Sequence, residues 1–232
     1  YSNGFLPGHH QASIIKADSE EPVPHVLPQE DPTIQRKRLD FIRSLDARFS
    51  DITDQDQKVE AAVKNYETAS LMQSAVPEVT DLSDETEATK EMYGLNSTDG
   101  NTAHYARQAL LARRLVEKGV RFVQVNRGGF DNHGNIFDAM RNHGAAMDPA
   151  IASLISDLKA NGMLSKTLVV VLSEFGRTPR INDGGGRDHW ARCFSCMMAG
   201  GGLKGGSIIG ASDEDGMAPA ERPVKISDPH AT

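Results

Sequence analysis

The stretch Thr167-Leu-Val-Val-Val-Leu-Ser-Glu174 decides the fold class, because an apolar, β-branched run leads directly into an acidic residue. Short runs of this kind are typical of strands that are buried on both faces. Gly162 bounds the run on one side, and turn residues follow Ser173 on the other. We therefore predict a strand over residues 167–172, with Glu174 at its carboxyl end.

The sequence before this strand predicts a strand followed by a helix. Residues 120–125 are rich in valine and phenylalanine, which favour a strand, and residues 147–158 carry an apolar stripe at helical spacing. Asp148-Pro149 marks the expected helix start, because an acid at the N-cap and a proline at the first helical position favour one. Strand, helix and strand in succession form a βαβ unit, so we predict that the two strands are parallel.

The connection after residue 172 predicts a reversal of chain direction. Between Ser173 and Arg192 it holds proline and three glycines at 184–186, with no helical pattern. Because a parallel crossover normally needs a helix, we expect residues 193–199 to return as an antiparallel strand. A further short strand is predicted over residues 207–210.

Helical patterns dominate the sequence before Gly119. Apolar residues recur at spacings of three and four within residues 39–49, 59–66 and 109–116, and a short helix is predicted near residues 85–93. We predict an extended segment over residues 1–30, a helical segment packed on the core over residues 31–118, and the α/β portion of the same domain over residues 119–232. The first residue is not methionine and no closing element is visible, so we expect a fragment that is incomplete at both ends.

Composition excludes several classes of protein for these 232 residues. The formal net charge of −7 argues against a nucleic-acid-binding surface, which is basic. No run approaches the roughly 18 apolar residues of a membrane span. The two cysteines, Cys193 and Cys196, exclude a disulfide framework. We expect them to be buried thiols, with a redox or structural zinc role as a distant alternative.

Three clusters of carboxylate and imidazole groups flank the predicted strands. Asp131 and His133 follow the first strand, Glu174 follows the second, and Asp188 and His189 precede the third. Loops beyond the carboxyl ends of strands collect functional groups, and an antiparallel return strand would begin at that same edge. Oxygen and nitrogen ligands of this kind suit zinc, manganese or iron better than calcium. The sequence therefore predicts a site for a divalent metal.

Arg177 and Arg187 lie beside these clusters in the sequence, and a planar guanidinium matches the oxygens of phosphate or sulfate. Purely structural roles compete with each assignment. Residues 131–133 could form a hydrogen-bonded turn, Glu174 could form a salt bridge with Arg177, and Asp188 with His189 could orient the glycine run.

Several motifs resemble those of the bacterial domain-of-unknown-function family 1501, and the likeness extends over essentially the whole chain. The motifs are Leu111-Ala-Arg-Arg-Leu-Val-Glu-Lys-Gly-Val-Arg-Phe-Val-Gln-Val125, Gly129-Phe-Asp-Asn-His133, Ser173-Glu-Phe-Gly-Arg-Thr-Pro179, Gly186-Arg-Asp-His189, Ala199-Gly-Gly-Gly202 and Asp228-Pro-His-Ala-Thr232. That family resembles the alkaline phosphatase and sulfatase superfamily, which implies an α/β sheet with flanking helices, here preceded by a helical insertion. It also implies hydrolysis of phosphate or sulfate esters with one or two divalent ions, zinc or manganese being favoured.

Carried onto this chain, the resemblance assigns Asp131, His133, Glu174 and His189 as metal ligands. We expect the neighbouring Asp188 to be a further ligand or a supporting partner. The superfamily often has Asp-His where this chain has Glu174 followed by phenylalanine, so one ligand expected for a second metal is missing. The resemblance places the nucleophile upstream of Tyr1 and implies export to the periplasm or the medium. We expect a hydrolase of small-molecule or glycan esters. The alternative is an exported, non-catalytic binding or surface protein that retains the fold.

Overall fold

The computed structural model describes residues 11–24, 26–27, 30–52, 57–225 and 227–230. The chain divides into two compact units, Tyr1–Glu85 and Thr86–Thr232. All the side chains predicted to form the site belong to the second unit.

The first unit contains two long helices, α1 (Pro32–Ile52) and α2 (Gln57–Thr80). They contact each other, and the side chain of Gln35 hydrogen-bonds that of Gln73 across the pair. Both helices were predicted from their apolar spacing and are confirmed. Residues 11–24 contain no helix or strand, in agreement with an extended segment, whereas residues 1–10 lie outside the described part of the chain.

Three helices form the core of the second unit: α3 (Glu87–Tyr93), α4 (Gly100–Glu117) and α5 (Ile136–Ala160). The side chain of Thr86 caps α3 by accepting a hydrogen bond from the amide of Thr89, and Asp99 caps α4 in the same way. Helix α3 ends at Gly94, whose φ of 86° lies in the left-handed region that favours glycine. The predicted helices near residues 85–93 and 109–116 are therefore confirmed.

The core of this unit centres on three fully buried side chains, one from each helix: Tyr93, Leu110 and Leu158. The Tyr93 hydroxyl donates to Asp157 Oδ2 at 2.9 Å, and Arg113 Nε lies 3.1 Å from the same oxygen. Burial, together with the negative charge of Asp157, raises the pKa of Tyr93 well above its usual range, so the hydroxyl stays a neutral donor. Apolar packing and one buried polar network thus join α3, α4 and α5.

Truncating Leu110 to alanine should lower the free energy of unfolding by about 2–5 kcal/mol, because a buried leucine leaves a cavity that the core fills only in part. Leu172 is 65% exposed, so Leu172→Ala serves as the matched control and should stay within about 0.5 kcal/mol of the wild type. Urea denaturation followed by circular dichroism measures both. Equal losses in the two variants would contradict the assignment of the core to these helices.

Helix α5 corrects one prediction, since it begins at Ile136 and not at Asp148-Pro149. Pro149 lies inside the helix, where it removes one backbone donor and normally costs about 3 kcal/mol or more. Packing explains why the helix continues, because Ala146 and Ala150, on either side of the proline, are buried. Burial along the length of α5 outweighs the local signal for a helix start.

The strands are short and pair in antiparallel fashion. They are β1 (Leu168–Val171), β2 (Gly176–Arg177), β3 (His189–Trp190), β4 (Met197–Gly200), β5 (Ala211–Ser212) and β6 (Pro219–Glu221), and a short helix α6 (Ser227–His230) follows. Strand β1 pairs with β4, β2 with β3, and β5 with β6. The antiparallel return after β1 is confirmed, although β4 begins four residues later than the predicted start at residue 193.

Three predictions about the strands are wrong. Residues 120–130 form no strand, so the parallel βαβ unit is absent, and the predicted strand at 207–210 is replaced by the β5–β6 pair. Strand β1 is not buried on both faces, because Leu168 is 40% exposed and Val170 is 39% exposed. Without a neighbour from residues 120–125, β1 has β4 as its only strand partner within the described residues, and its side chains remain partly open to solvent.

Candidate metal centre

The β2–β3 hairpin positions two of the functional side chains. Its register places Arg177 opposite His189 and Gly176 opposite Trp190. Residues directly opposite in an antiparallel pair lie on the same face, so Arg177 and His189 project together. Gly176 allows the close approach of the following chain, because a Cβ there would lie 2.0 Å from the carbonyl oxygen of Cys193.

Asn182 connects the hairpin loop with the segment that carries Asp131 and His133. Its Oδ1 accepts from the amides of Gly184 (3.0 Å) and Gly186 (2.9 Å), and its Nδ2 donates to Asp188 Oδ1 (2.9 Å) and to the carbonyl of His133 (3.2 Å). Asn182 was not among the site residues predicted from the sequence. An asparagine just before Asp-Gly-Gly-Gly is, however, a recognisable signal for a side-chain-capped turn.

The glycine loop then lies directly against residues 132–136. The amide of Arg187 donates to the carbonyl of Asn132 at 3.1 Å, and the amide of Ile136, the first residue of α5, donates to the carbonyl of Gly185 at 2.9 Å. A Cβ at Gly186 would lie 2.0 Å from the carbonyl carbon of His133, so only glycine fits there. These backbone contacts, and not a pair of parallel strands, bring His133 to the hairpin.

Three side chains converge at this junction: Asp131, His133 and His189. Asp131 Oδ1 lies 2.8 Å from His189 Nε2 and 3.3 Å from His133 Nδ1, and the two imidazole centroids are 4.9 Å apart. One ligand atom from each of the three residues lies within 4.8 Å of the others. All three side chains are about half exposed or more, at 65%, 48% and 53%, so an ion could reach them from solution.

Arg177 completes the group and sets the charge state of its carboxylate. Its Nη1 donates to Asp131 Oδ1 at 2.6 Å. The hydrogen bond from Arg177, followed by that with His189, lowers the pKa of Asp131 to about 2. Asp131 is therefore ionised throughout the neutral range, as a metal ligand must be.

The other predicted residues lie near this group but outside it. Glu174 Oε1 is 3.4 Å from Arg177 Nη2. This is the salt bridge that was considered as the alternative to metal binding by Glu174. Asp188 is bonded through its side chain to Asn182. Arg187 is half-buried and contributes its backbone amide to the glycine-loop contact.

Phe175 is a further member of the site that the sequence analysis treated only as a departure from the superfamily pattern. Its ring centroid lies 4.7 Å from that of His189, and the guanidinium carbon of Arg177 lies 5.4 Å from the Phe175 ring centroid. The ring therefore contacts both side chains that approach Asp131 from the hairpin.

The cysteines correct another prediction. Cys193 is half-buried and Cys196 is exposed, and both are free thiols. The expectation that they are buried is wrong, because they lie in the irregular segment before β4 and not within a covered strand.

The comparisons with known proteins assign the chain to a family. The family model described as "Protein of unknown function (DUF1501)" matches residues 1–232, and the chain belongs to this family. No curated protein and no solved structure matches the chain. Within the described residues, none of the helices has the length and apolar character that crossing a bilayer requires.

Proposed function

We propose that the chain carries a metal-dependent site for hydrolysis of phosphate or sulfate esters, with Asp131, His133 and His189 as ligands of one divalent ion. The observation that carries the proposal is the approach of both imidazoles to a single ionised carboxylate oxygen, at 2.8 and 3.3 Å. The same proposal includes three points that rest on the family resemblance. They are a sulfatase-like fold, export of the protein, and a small-molecule or glycan ester as substrate.

The donor set fits such an ion. Two imidazole nitrogens and one carboxylate oxygen suit zinc, manganese or iron, and three protein ligands are typical of catalytic zinc sites, where the fourth position is open to water or substrate. The three ligand atoms lie within 4.8 Å of one another, close enough for bonds of about 2.0–2.2 Å to a shared ion after small rotations of the side chains. When bound, the ion would polarise an ester oxygen or acidify a bound water.

The remaining side chains have supporting roles in this proposal. Arg177 binds an anionic oxygen of the substrate through its fork of N–H donors, and Glu174 holds the opposite nitrogen of the same guanidinium at 3.4 Å. Asp188 acts through Asn182, which bonds the carbonyl of His133 and so fixes the position of that imidazole. Arg187 is the second candidate for anion binding.

Two observations favour the alternative of an exported, non-catalytic binding or surface protein. Glu174 is engaged with Arg177 and lies outside the three-residue group, and Phe175 occupies the position where the superfamily often carries a histidine. A single ion held by three ligands can bind an anion without hydrolysing an ester.

Turnover by the full-length protein separates the two functions. We expect hydrolysis of an aryl phosphate or aryl sulfate that requires added Zn²⁺ or Mn²⁺ and that Asp131→Asn abolishes. The matched control is Asp138→Asn, which alters an acid that pairs with Arg141 on α5 and should leave turnover unchanged. Absence of turnover of either ester, with or without bound metal, would support the non-catalytic binding or surface protein, and failure to bind metal would refute the assigned metal site.

A further inference from the structure

We propose that Arg177 is an exchangeable counter-cation of Asp131, so that metal binding releases its guanidinium for an oxyanion and the two ligands bind cooperatively. This inference rests on the proposed metal site and adds a coupling between the ion and the substrate anion. It concerns the order and the strength of binding at the site.

Three nitrogen atoms approach the same carboxylate oxygen. Arg177 Nη1 lies 2.6 Å from Asp131 Oδ1, closer than His189 Nε2 at 2.8 Å and His133 Nδ1 at 3.3 Å. A divalent ion held by both imidazoles and Asp131 would draw on the same carboxylate oxygen that the guanidinium now pairs with. The ion and the guanidinium are both cationic, so they compete for Asp131 and repel each other.

Arg177 has a second anionic partner within reach, the carboxylate of Glu174. Its Nη2 lies 3.4 Å from Glu174 Oε1, its guanidinium faces the ring of Phe175, and its side chain is 18% exposed. The arginine is therefore held on two further sides when its contact with Asp131 breaks. Glu174 then keeps its contact with Nη2 of the guanidinium, while Nη1 becomes free to donate to an oxyanion beside the metal.

The consequence is a thermodynamic coupling between the two ligands. A bound oxyanion stabilises the released arginine and therefore tightens metal binding, and the metal tightens anion binding by the same factor. Coupling of this kind typically amounts to about 5–150-fold in affinity. Mutual attraction of metal and anion alone would also couple them, so the test must isolate the contribution of Arg177.

Titration calorimetry with Mn²⁺, in the absence and presence of sulfate, isolates the contribution of Arg177 to this coupling. In sulfate-free buffer we expect Arg177→Gln to bind Mn²⁺ about tenfold more tightly than the wild type, because the competing and repelling cation is gone. Sulfate should tighten Mn²⁺ binding at least about fivefold in the wild type and clearly less in Arg177→Gln, where only the direct attraction between metal and anion remains. Arg177→Lys keeps the charge and should bind Mn²⁺ as the wild type does.

Arg180→Gln is the matched control, since it removes an exposed arginine from the loop that follows β2 and should leave both affinities unchanged. Circular dichroism verifies that each variant is folded. If the wild type binds Mn²⁺ and Arg177→Gln binds it no more tightly, or keeps the full sulfate effect, the exchange is refuted while the metal site stands. If the wild type binds no Mn²⁺, both the metal site and the exchange are refuted.

Discussion

Replacing His189 with alanine should abolish metal binding at the site. The imidazole supplies one of three ligands and lies 2.8 Å from the carboxylate that supplies another, so the variant leaves two ligands for the ion. Loss of a group that merely supports a ligand costs about 10–100-fold in metal affinity, and loss of a ligand itself should cost more. Calorimetric titration with Zn²⁺ or Mn²⁺ measures the difference.

His104→Ala is the matched control, because it removes an imidazole of the same unit that lies on α4, outside the three-residue group. We expect it to bind metal as the wild type does. If His189→Ala kept wild-type affinity, or if both variants lost binding to the same degree, the ion would be held elsewhere and the assigned ligand set would be wrong.

Replacing Gly186 with alanine should remove metal binding without altering any ligand. A Cβ at this position would lie 2.0 Å from the carbonyl carbon of His133 and 2.2 Å from the amide of Gly134. Both are backbone atoms, so relief requires the segment with Asp131 and His133 to move away from the hairpin. Crowding of this kind typically costs about 1–3 kcal/mol of stability, and we expect a loss of metal affinity comparable with that of His189→Ala.

Gly205→Ala provides the comparison, since a Cβ there meets nothing within 4 Å. It should leave both the thermal midpoint and the metal affinity unchanged. Wild-type metal affinity in Gly186→Ala would mean that the contact between the glycine loop and His133 does not position the ligands.

The helices could be predicted from sequence because their signals are local. The apolar spacing within residues 39–49 and 109–116 depends only on which face of a helix is covered, and both segments fold as predicted. The start of α5 could not be predicted in this way. Asp148-Pro149 is a strong local signal, but the packing of Ala146 and Ala150 overrides it.

The strands were harder to predict because pairing depends on partners distant in sequence. Residues 120–125 have the composition of a strand, yet strand composition reports burial and packing more than backbone preference. They find no partner strand, and β1 is consequently more exposed than its apolar sequence suggests. The reversal after β1 was predictable, because the connection contains glycine and proline but no helix.

The meeting of His133 with His189 was expected from sequence, but the structural route to it was not. The prediction used the ends of two parallel strands, whereas the structure uses Asn182 and the glycine loop to hold residues 132–134. The partner of Glu174 also could not be decided in advance. A carboxylate three residues before an arginine can bind either a metal or that arginine. The sequence is the same in both cases, and only the structure shows that Glu174 lies 3.4 Å from Arg177.

The most direct test of the metal centre is the anomalous diffraction signal from crystals of the zinc-loaded protein. We predict a peak at the zinc edge about 2.0–2.2 Å from one ligand atom each of Asp131, His133 and His189. A zinc peak bound by other residues, with these three side chains uncoordinated at saturating metal, would contradict the proposed centre.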